Sequence, residues 1–217
     1  MAFNNSFTAI TGATYTAAQY NTYTRDNLTA IWVYTTAGDI AYATGATTLA
    51  RLGIGSNYKV VRSNGSAPTW DKVLQEARVY KTADQSYSSG AAAEIAFNAE
   101  ILDEYGWHNN STNNERITVT QTGVYVPFLK IYFNKDTGGS GTFVLSMDIL
   151  LNGAATPNSS NPLREIDAVT KHAICGGIPI AMTAGQYVTA RFSQNSGGSG
   201  KIINGSGATV FALLRIG

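Results

Sequence analysis

Residues 116–133 have the sequence RITVTQTGVYVPFLKIYF, in which two runs rich in β-branched and aromatic residues flank the turn residues before Val124. In the second run, apolar and polar side chains alternate from Leu129 to Phe133, as is typical of a β-strand with one buried face. The alternation does not show which face points towards the core. This stretch therefore predicts two consecutive strands of an antiparallel sheet.

Strand-like segments of the same kind recur from residue 73 onward. The others are Glu76–Thr82, Ala93–Phe97, Thr142–Leu151, Ile178–Met182, Tyr187–Gln194 and Ala208–Ile216. About eight strands at this spacing, with no helical pattern between them, predict a mainly β fold of the jelly-roll sandwich type. The 22 glycines of the chain suit its many tight turns.

The charge balance excludes several classes of partner. The chain has 217 residues, with 15 Lys and Arg against 14 Asp and Glu and a net charge of +1, so we expect no nucleic-acid binding. No run approaches the roughly 20 apolar residues of a membrane span, and Met1–Ser6 lacks the features of a signal peptide, so we expect cytoplasmic synthesis and no membrane insertion. Charged residues are only 13% of the chain, so much of the surface is expected to be neutral and polar or buried against partners.

The segment from Thr16 to Trp32 is the best helix candidate. Thr16 and Gln19 have the spacing of a capping box. The larger side chains Tyr20, Leu28 and Ile31, together with Trp32, fall roughly on one stripe at helical spacing. This short helix needs another surface to cover that stripe.

Residues 37–72 are rich in glycine and predict short strands joined by turns. Asn64-Gly65 is a hairpin-type turn signal, and Ala67-Pro68 favours extended backbone before Trp70. We place a boundary near Asp71. The predicted organisation is an N-terminal segment with a helix (1–36), a Gly-rich β connector (37–72) and a jelly-roll domain (73–217).

Several motifs of the last segment resemble the tumour-necrosis-factor-like jelly roll in its complement globular-head variant. They are Ile95–Asn98, Gly106–His108, Arg116–Tyr125, Leu151–Gly153, Met182–Val188 and Thr209–Leu214. Together they cover most of residues 76–217 in the expected order. The resemblance implies the same jelly-roll fold.

The leading part resembles modules at the head of bacteriophage fibre and virion-surface proteins. The matching segments are Thr16–Asn21, Arg25–Leu28, Gly38–Ala43 and Thr47–Gly55. The resemblance implies a virion-surface protein without enzymatic activity, whose N-terminus docks on capsid or tail proteins while the jelly roll projects outward. Tyr20, Leu28, Ile31 and Trp32 are then the candidate docking residues. The single short connector favours a capsid decoration protein, head fibre or short spike over a long fibre.

A homotrimer is expected on two grounds. The fold family forms trimers, and closed symmetry hides the neutral surface of a weakly charged jelly roll without leaving a sticky end. The candidate trimer core comprises Tyr125, Phe128, Phe211 and Leu213.

The loop Gly106–Asn110 supports an alternative function, a receptor-binding tail fibre protein that recognises a host surface glycan. Trp107 offers a face for sugar stacking, and His108, Asn109 and Asn110 offer hydrogen-bonding groups. The simpler interpretation of His108 is an ordinary turn residue that is solvent-facing or hydrogen-bonded.

Catalytic, metal and cofactor sites are not predicted. Two histidines and one cysteine provide little material for a zinc site or a Cys–His nucleophile, and no Gly-x-Ser-x-Gly motif is present. The carboxylates Glu100, Asp103 and Glu104 are interpreted as a hydrated loop face rather than a glycosidase pair or calcium site. Residues 199–202 are interpreted as a hairpin tip, and Cys175 as a small buried hydrophobe.

Overall fold

The computed structural model describes residues 11–135, 142–155, 161–166, 170–195 and 197–217. The chain divides into two compact units, Met1–Val73 and Leu74–Gly217. The predicted docking segment and the predicted connector both fall in the first unit. Among the described residues, no helix is long and apolar enough to cross a membrane.

The N-terminal unit begins with a helical segment that changes pitch. Its parts are α1 (Ala17–Tyr20), a π-helical turn (Asn21–Arg25) and α2 (Asp26–Ile31). The predicted capping box is confirmed: the Gln19 backbone N–H donates to Thr16 Oγ1 over 3.2 Å, and the Thr16 N–H donates to Gln19 Oε1 over 2.9 Å. The predicted helix is thus present, but a π turn interrupts it.

Two antiparallel hairpins follow in the same unit. The first pairs β1 (Ile40–Gly45) with β2 (Thr48–Leu52), and the second pairs β3 (Lys59–Ser63) with β4 (Pro68–Lys72). Asn64 closes the second hairpin, because its Oδ1 accepts hydrogen bonds from the backbone N–H groups of Ser66 and Ala67. The indole N–H of Trp70 donates to the Gly53 carbonyl over 2.6 Å, which joins β4 to the end of β2.

The C-terminal unit is built of short antiparallel strands. These are β5 (Gln75–Tyr80), β6 (Gln85–Tyr87), β7 (Ala92–Glu94), β8 (Ala99–Asp103), β9 (Arg116–Thr118), β10 (Gly123–Lys135), β11 (Thr142–Leu151), β12 (Ala154–Ala155), β13 (Asn161–Ile166), β14 (Thr170–Gly176), β15 (Ile180–Met182), β16 (Tyr187–Gln194), β17 (Gly200–Ile202) and β18 (Val210–Arg215).

The strands form two sheets with jelly-roll connectivity. Sheet I has the order β6-β17-β10-β18-β5-β8, with β14 and β15 also paired to β10. Sheet II has the order β12-β11-β16-β7, with β13 paired to β11 and β9 paired to β16. The chain crosses repeatedly from one sheet to the other, so most neighbouring strands within a sheet are distant in sequence. The predicted mainly β jelly roll is confirmed.

Alternation along the strands builds the core between the sheets. In β10, Leu129, Ile131 and Phe133 are fully buried, whereas the residues between them face outward. Phe133 packs against Phe192 of sheet II with ring centroids 5.2 Å apart. Each such side chain contributes about 1.5–3 kcal/mol through its removal from water. Cys175 is buried in this core, as predicted.

The residues interpreted as a hairpin tip form a strand instead. Gly200 to Ile202 make up β17, which pairs with both β10 and β6. A Cβ on Gly200 would overlap the buried Phe133 ring and lie 3.0 Å from the Asn134 carbonyl oxygen. Gly200 is therefore required by the close approach of β17 to the core rather than by a flexible turn.

Lys81 is buried in the C-terminal unit. The Lys81 ammonium donates hydrogen bonds of 2.7 Å to Gln85 Oε1 and to the Ala96 carbonyl oxygen. Burial lowers the pKa of Lys81 to about 8, although the nearby charge of Asp84 acts in the opposite direction. Burial also raises the pKa of Tyr87.

Candidate functional site

The connection between β8 and β9 is organised by the Asp103 carboxylate. Its Oδ1 accepts the backbone N–H of Trp107 over 2.9 Å, and its Oδ2 accepts that of His108 over 2.8 Å. Gly106, just before these donors, has φ of 64°, a left-handed conformation that favours glycine. The carboxylate interpreted as part of a hydrated loop face thus holds the loop closed.

His108 fastens the same loop from inside. Its side chain is fully enclosed, with Nδ1 3.2 Å from Glu100 Oε1 and Nε2 3.3 Å from the Asn114 carbonyl oxygen. Both ring nitrogens lie within hydrogen-bonding distance of loop oxygens, so the ring joins Glu100 to the Asn114 backbone. His108 is thus a hydrogen-bonding loop residue that is not exposed to solvent.

Trp107 is not available for stacking on a sugar. It is 1% exposed, its Nε1 donates to Thr120 Oγ1 over 3.1 Å, and its ring lies against Tyr105 and Tyr125 with centroids 5.5 and 5.4 Å away. The prediction of a Trp107 stacking platform is therefore wrong, because the indole belongs to the core of the C-terminal unit.

The two asparagines that follow are exposed. Asn109 Oδ1 accepts hydrogen bonds of 2.9 Å from the backbone N–H groups of Ser111 and Thr112, which fixes a tight turn. Asn110 lies at the tip of this turn. Of the four predicted glycan-binding residues, only these two present their side chains to solvent.

A polar cavity of about 250 Å³, called here the loop cavity, lies beside this turn. Its walls are Gly106–Asn109, Thr112 and Asn113 of the loop, and Arg116 and Thr118 of β9. A Cβ added to Gly106 would meet no atom within 4 Å, so glycine leaves this wall open. Trp107, His108 and Asn109 of the predicted site line this cavity, together with residues that were not predicted.

Arg116 is the charged group of the loop cavity. Ile117 points into the core, so its neighbours Arg116 and Thr118 share the outward face of β9. The Arg116 guanidinium carbon lies 4.7 Å from the ring centroid of Tyr187 on the paired strand β16. Within the described part of the chain, this guanidinium has no carboxylate partner.

Arg116, Thr112, Asn113 and Thr118 were not among the predicted site residues. The strand alternation around Ile117 placed Arg116 and Thr118 on one face, which was the available signal. No sequence pattern indicated Thr112 and Asn113, because the conformation of the loop depends on the contacts of Asp103 and His108.

The loop cavity has groups that can bind a polar ligand. It offers one cation, hydroxyl groups and amides, which are hydrogen-bonding partners for a polar ligand. Within the described residues, no group of three His, Cys, Asp or Glu side chains is placed to hold a metal ion.

The candidate docking residues all lie on the surface of the N-terminal unit. The exposed fractions are 51% for Tyr20, 58% for Leu28, 44% for Ile31 and 74% for Trp32. Trp32 makes an edge contact with Tyr34, with ring centroids 6.0 Å apart. Tyr34 is itself exposed. The helical segment therefore presents large apolar side chains to solvent.

The candidate trimer core divides between two faces of sheet I. Tyr125, Phe211 and Leu213 are fully buried within the sandwich of one chain, so the prediction that they contact other copies is wrong. The side chains of these three residues point into the sandwich. Sequence alternation does not decide which face of a strand is buried. Phe128 points outward and is 44% exposed.

Phe128 lies within an apolar patch, called here the outer face, formed by Phe128, Ile174, Val210 and Ala212. Phe128 pairs with Gly176 of β14 on one side and with Ala212 of β18 on the other. Gly176 has no side chain to cover the ring, and Ile174 on the same strand is 64% exposed. Lys130 lies between Ile174 of β14 and Val210 of β18. Its ammonium donates a hydrogen bond to the Gly207 carbonyl oxygen over 2.7 Å.

Comparison with known proteins gives structural likeness only. No family model and no curated protein sequence matches the chain. The chain is similar to Eiger TNF from S. frugiperda, with 14% identity and a TM-score of 0.44 over 67% of this chain and 94% of that one. It is similar to murine APRIL at pH 5.0, with 11% identity and a TM-score of 0.44 over 66% and 99%. The jelly-roll assignment itself rests on the strand order of sheets I and II.

Proposed function

We propose that this chain is a non-enzymatic structural protein on the surface of a tailed-bacteriophage virion. In this proposal the N-terminal unit docks on a capsid or tail protein, and a homotrimer displays the jelly roll as a decoration protein, head fibre or short spike. The virion location rests on the resemblance of residues 16–55 to phage surface proteins.

The observation that carries the docking role is the apolar surface of the helical segment. Leu28, Ile31 and Trp32 lie within one short stretch, and each is at least 44% exposed. Clustered apolar side chains on a surface mark sites of protein contact. Their burial against a particle protein would remove this surface from water.

The outer face supports the homotrimer. Phe128 and Ile174 are large apolar residues left open on the outside of sheet I, next to the small residues Gly176 and Ala212. Closed association of three copies through this patch covers it without leaving a free edge. Three N-terminal units joined in this way would dock by avidity, even where each contact is weak.

The docking role is tested by the double variant Leu28→Asp with Ile31→Asp. Both side chains are exposed, so we expect a folded chain that is missing from purified phage particles. The control is Tyr58→Asn, which changes an apolar residue that is 90% exposed in the same unit and should leave incorporation unchanged. Normal incorporation of the double variant would contradict docking through the helical segment.

The trimer is tested by the native mass from light scattering. We expect a trimer for the unchanged chain and a monomer for Phe128→Asp, with no change for Ile101→Asp, a control of equal exposure at 43% on β8. A monomeric unchanged chain would contradict the assembly and remove the avidity argument.

The loop cavity favours a second candidate function, recognition of a host surface glycan by a receptor-binding tail fibre protein. The supporting observation is a preformed polar cavity on the surface of the jelly roll. The test is saturable binding of the full chain to host cells, which oxidation of the surface sugars with periodate should abolish. Binding that survives this oxidation would exclude a glycan receptor.

A further inference from the structure

We propose that the loop cavity binds a negatively charged sugar, whose carboxylate or phosphate pairs with the Arg116 guanidinium. This inference rests on the glycan-recognition function proposed above and adds the chemical class of the ligand. In this inference the main source of affinity for the sugar is an ion pair with Arg116 and not stacking on Trp107.

The charge balance around the cavity favours an anion. Two carboxylates beside the loop are already engaged, Asp103 by two backbone N–H groups and Glu100 by His108. Among the described residues, the Arg116 guanidinium lies over the Tyr187 ring and forms no ion pair. Its N–H groups therefore remain for a ligand, and a guanidinium pairs best with the two oxygens of a carboxylate or phosphate.

Tyr187 acts as a positioning residue for Arg116. A cation over an aromatic face is held without the use of its N–H donors, because the attraction is to the ring rather than to a lone pair. The contact limits the movement of a long side chain at the cavity wall. Less conformational freedom is then lost when an anion binds.

The remaining lining groups suit the hydroxyls of a sugar ring. Thr112 and Thr118 bring hydroxyl groups that both donate and accept hydrogen bonds. Asn109 has its Oδ1 occupied by two backbone N–H groups, so its Nδ2 donors serve other acceptors. A cavity of about 250 Å³ lies just below the roughly 300–1,000 Å³ of drug-sized sites, which suits one sugar ring.

The loop wall is held before any ligand arrives. Asp103 closes its base, His108 joins it to Glu100 and to the Asn114 carbonyl, and the Asn109 turn fixes its tip. Binding therefore does not require the loop to become ordered, which preserves the affinity of a small ligand.

The experiment is a calorimetric titration of the full chain with three matched probes: glucose, glucuronic acid and glucose 6-phosphate. We expect saturable binding of at least one anionic probe, with a Kd on the order of millimolar, and binding of glucose at least about tenfold weaker. The ratio between glucuronic acid and glucose 6-phosphate then identifies carboxylate or phosphate as the preferred group.

Variants assign the binding to the cavity. Arg116→Gln should weaken the anionic probe by about tenfold or more, whereas Arg78→Gln, which removes an exposed arginine paired with Glu76, should not change it. Thr118→Val keeps the shape and the charge but loses a hydroxyl, so it should also weaken binding. Thermal unfolding of each variant verifies that it is folded.

Three results would overturn the inference: no binding of either anionic probe at about 50 mM, equal binding of glucose, or unchanged binding by Arg116→Gln.

A cell-binding assay distinguishes failure of this inference from failure of the proposed glycan-recognition function. Sugar-dependent cell binding shared by the unchanged chain and Arg116→Gln would retain glycan recognition and reject the loop cavity. Anionic-probe binding without cell binding would retain the cavity and reject the receptor function.

Discussion

The Asp39 carboxylate lies 3.0 Å from the Arg51 guanidinium, across the hairpin of β1 and β2. The same carboxylate accepts the backbone N–H groups of Thr35 and Thr36 over 2.8 Å, and that of Ile54 over 3.1 Å. Three backbone donors and one cation therefore meet at one side chain. Asp39 joins the segment after α2 to the hairpin and to the residues beyond it.

We expect Asp39→Asn to destabilise the N-terminal unit, because the amide replaces one acceptor oxygen by a donor that faces N–H groups. The Thr35 N–H, with further donors, holds the pKa of Asp39 well below its usual range. Stability from this group is therefore present above about pH 4 and is lost as the pH falls below that value. The unfolding midpoint, measured as a function of pH for the unchanged chain and for Asp39→Asn, tests both the destabilisation by the variant and the loss of stability in acid. Asp26→Asn, an exposed pair with Arg25, is the control and should change little.

Substitution of Trp107 should act on folding. We expect Trp107→Ala to lower the free energy of unfolding of the C-terminal unit by about 3–5 kcal/mol, the usual cost of an emptied aromatic site in a core. Asn110→Ala, three residues later on the exposed turn, should stay within about 0.5 kcal/mol. Denaturant unfolding compares the two variants, and equal stability of both would contradict the core position of Trp107.

The close approach of β17 predicts a steric effect at Gly200. Gly200→Ala should cost about 1–3 kcal/mol, because the added methyl group competes with the buried Phe133 ring. Gly207→Ala is a matched control, since a Cβ there meets no atom within 4 Å. Thermal unfolding of both proteins measures the difference, and a wild-type-like Gly200→Ala would show that β17 is loosely packed.

The buried amine of Lys81 predicts a pH dependence in mildly alkaline solution. The folded chain releases this proton near pH 8, whereas the unfolded chain retains it to about pH 10.5. Between these values the unfolded state binds more protons, so the contribution of Lys81 to stability rises with pH, by up to about 1.4 kcal/mol per pH unit. Tyr87 acts oppositely above its ordinary pKa of 10.0, because its folded-state pKa is raised.

The measurement is the free energy of unfolding between pH 8 and 10 for the unchanged chain and for Lys81→Met. The variant should lose the rising contribution, whereas Lys130→Met should retain it. The same slope in Lys81→Met and the unchanged chain would show that another group is responsible.

Local interactions made some features predictable from sequence. The capping box needs only Thr16 and Gln19, and the run of β-branched and aromatic residues from 124 to 133 is enough to identify β10. The jelly-roll fold was predicted from the number and spacing of such strand-like segments. Alternation does not specify direction, however, and Tyr125, Phe211 and Leu213 were therefore assigned to the wrong side of sheet I.

Other features depend on contacts between distant residues. Strand β14 was missed because its inward positions are the small Ala173 and Cys175, while the large Ile174 points outward. Strand β8 was interpreted as a loop because of Glu100 and Asp103, whose carboxylates bind the next loop. Trp107 was assigned to the surface because asparagines follow it, whereas Tyr105 and Tyr125 cover it.

The position of β18 has a consequence for synthesis in the cell. Residues 210–215 lie in the middle of sheet I, between β10 and β5, although they are made after every other strand described here. Until they leave the ribosome, β10 and β5 have unpaired edges towards each other, and such edges favour aggregation. Closure of the jelly roll therefore waits for translation of β18, and contacts between residues distant in sequence dominate its folding.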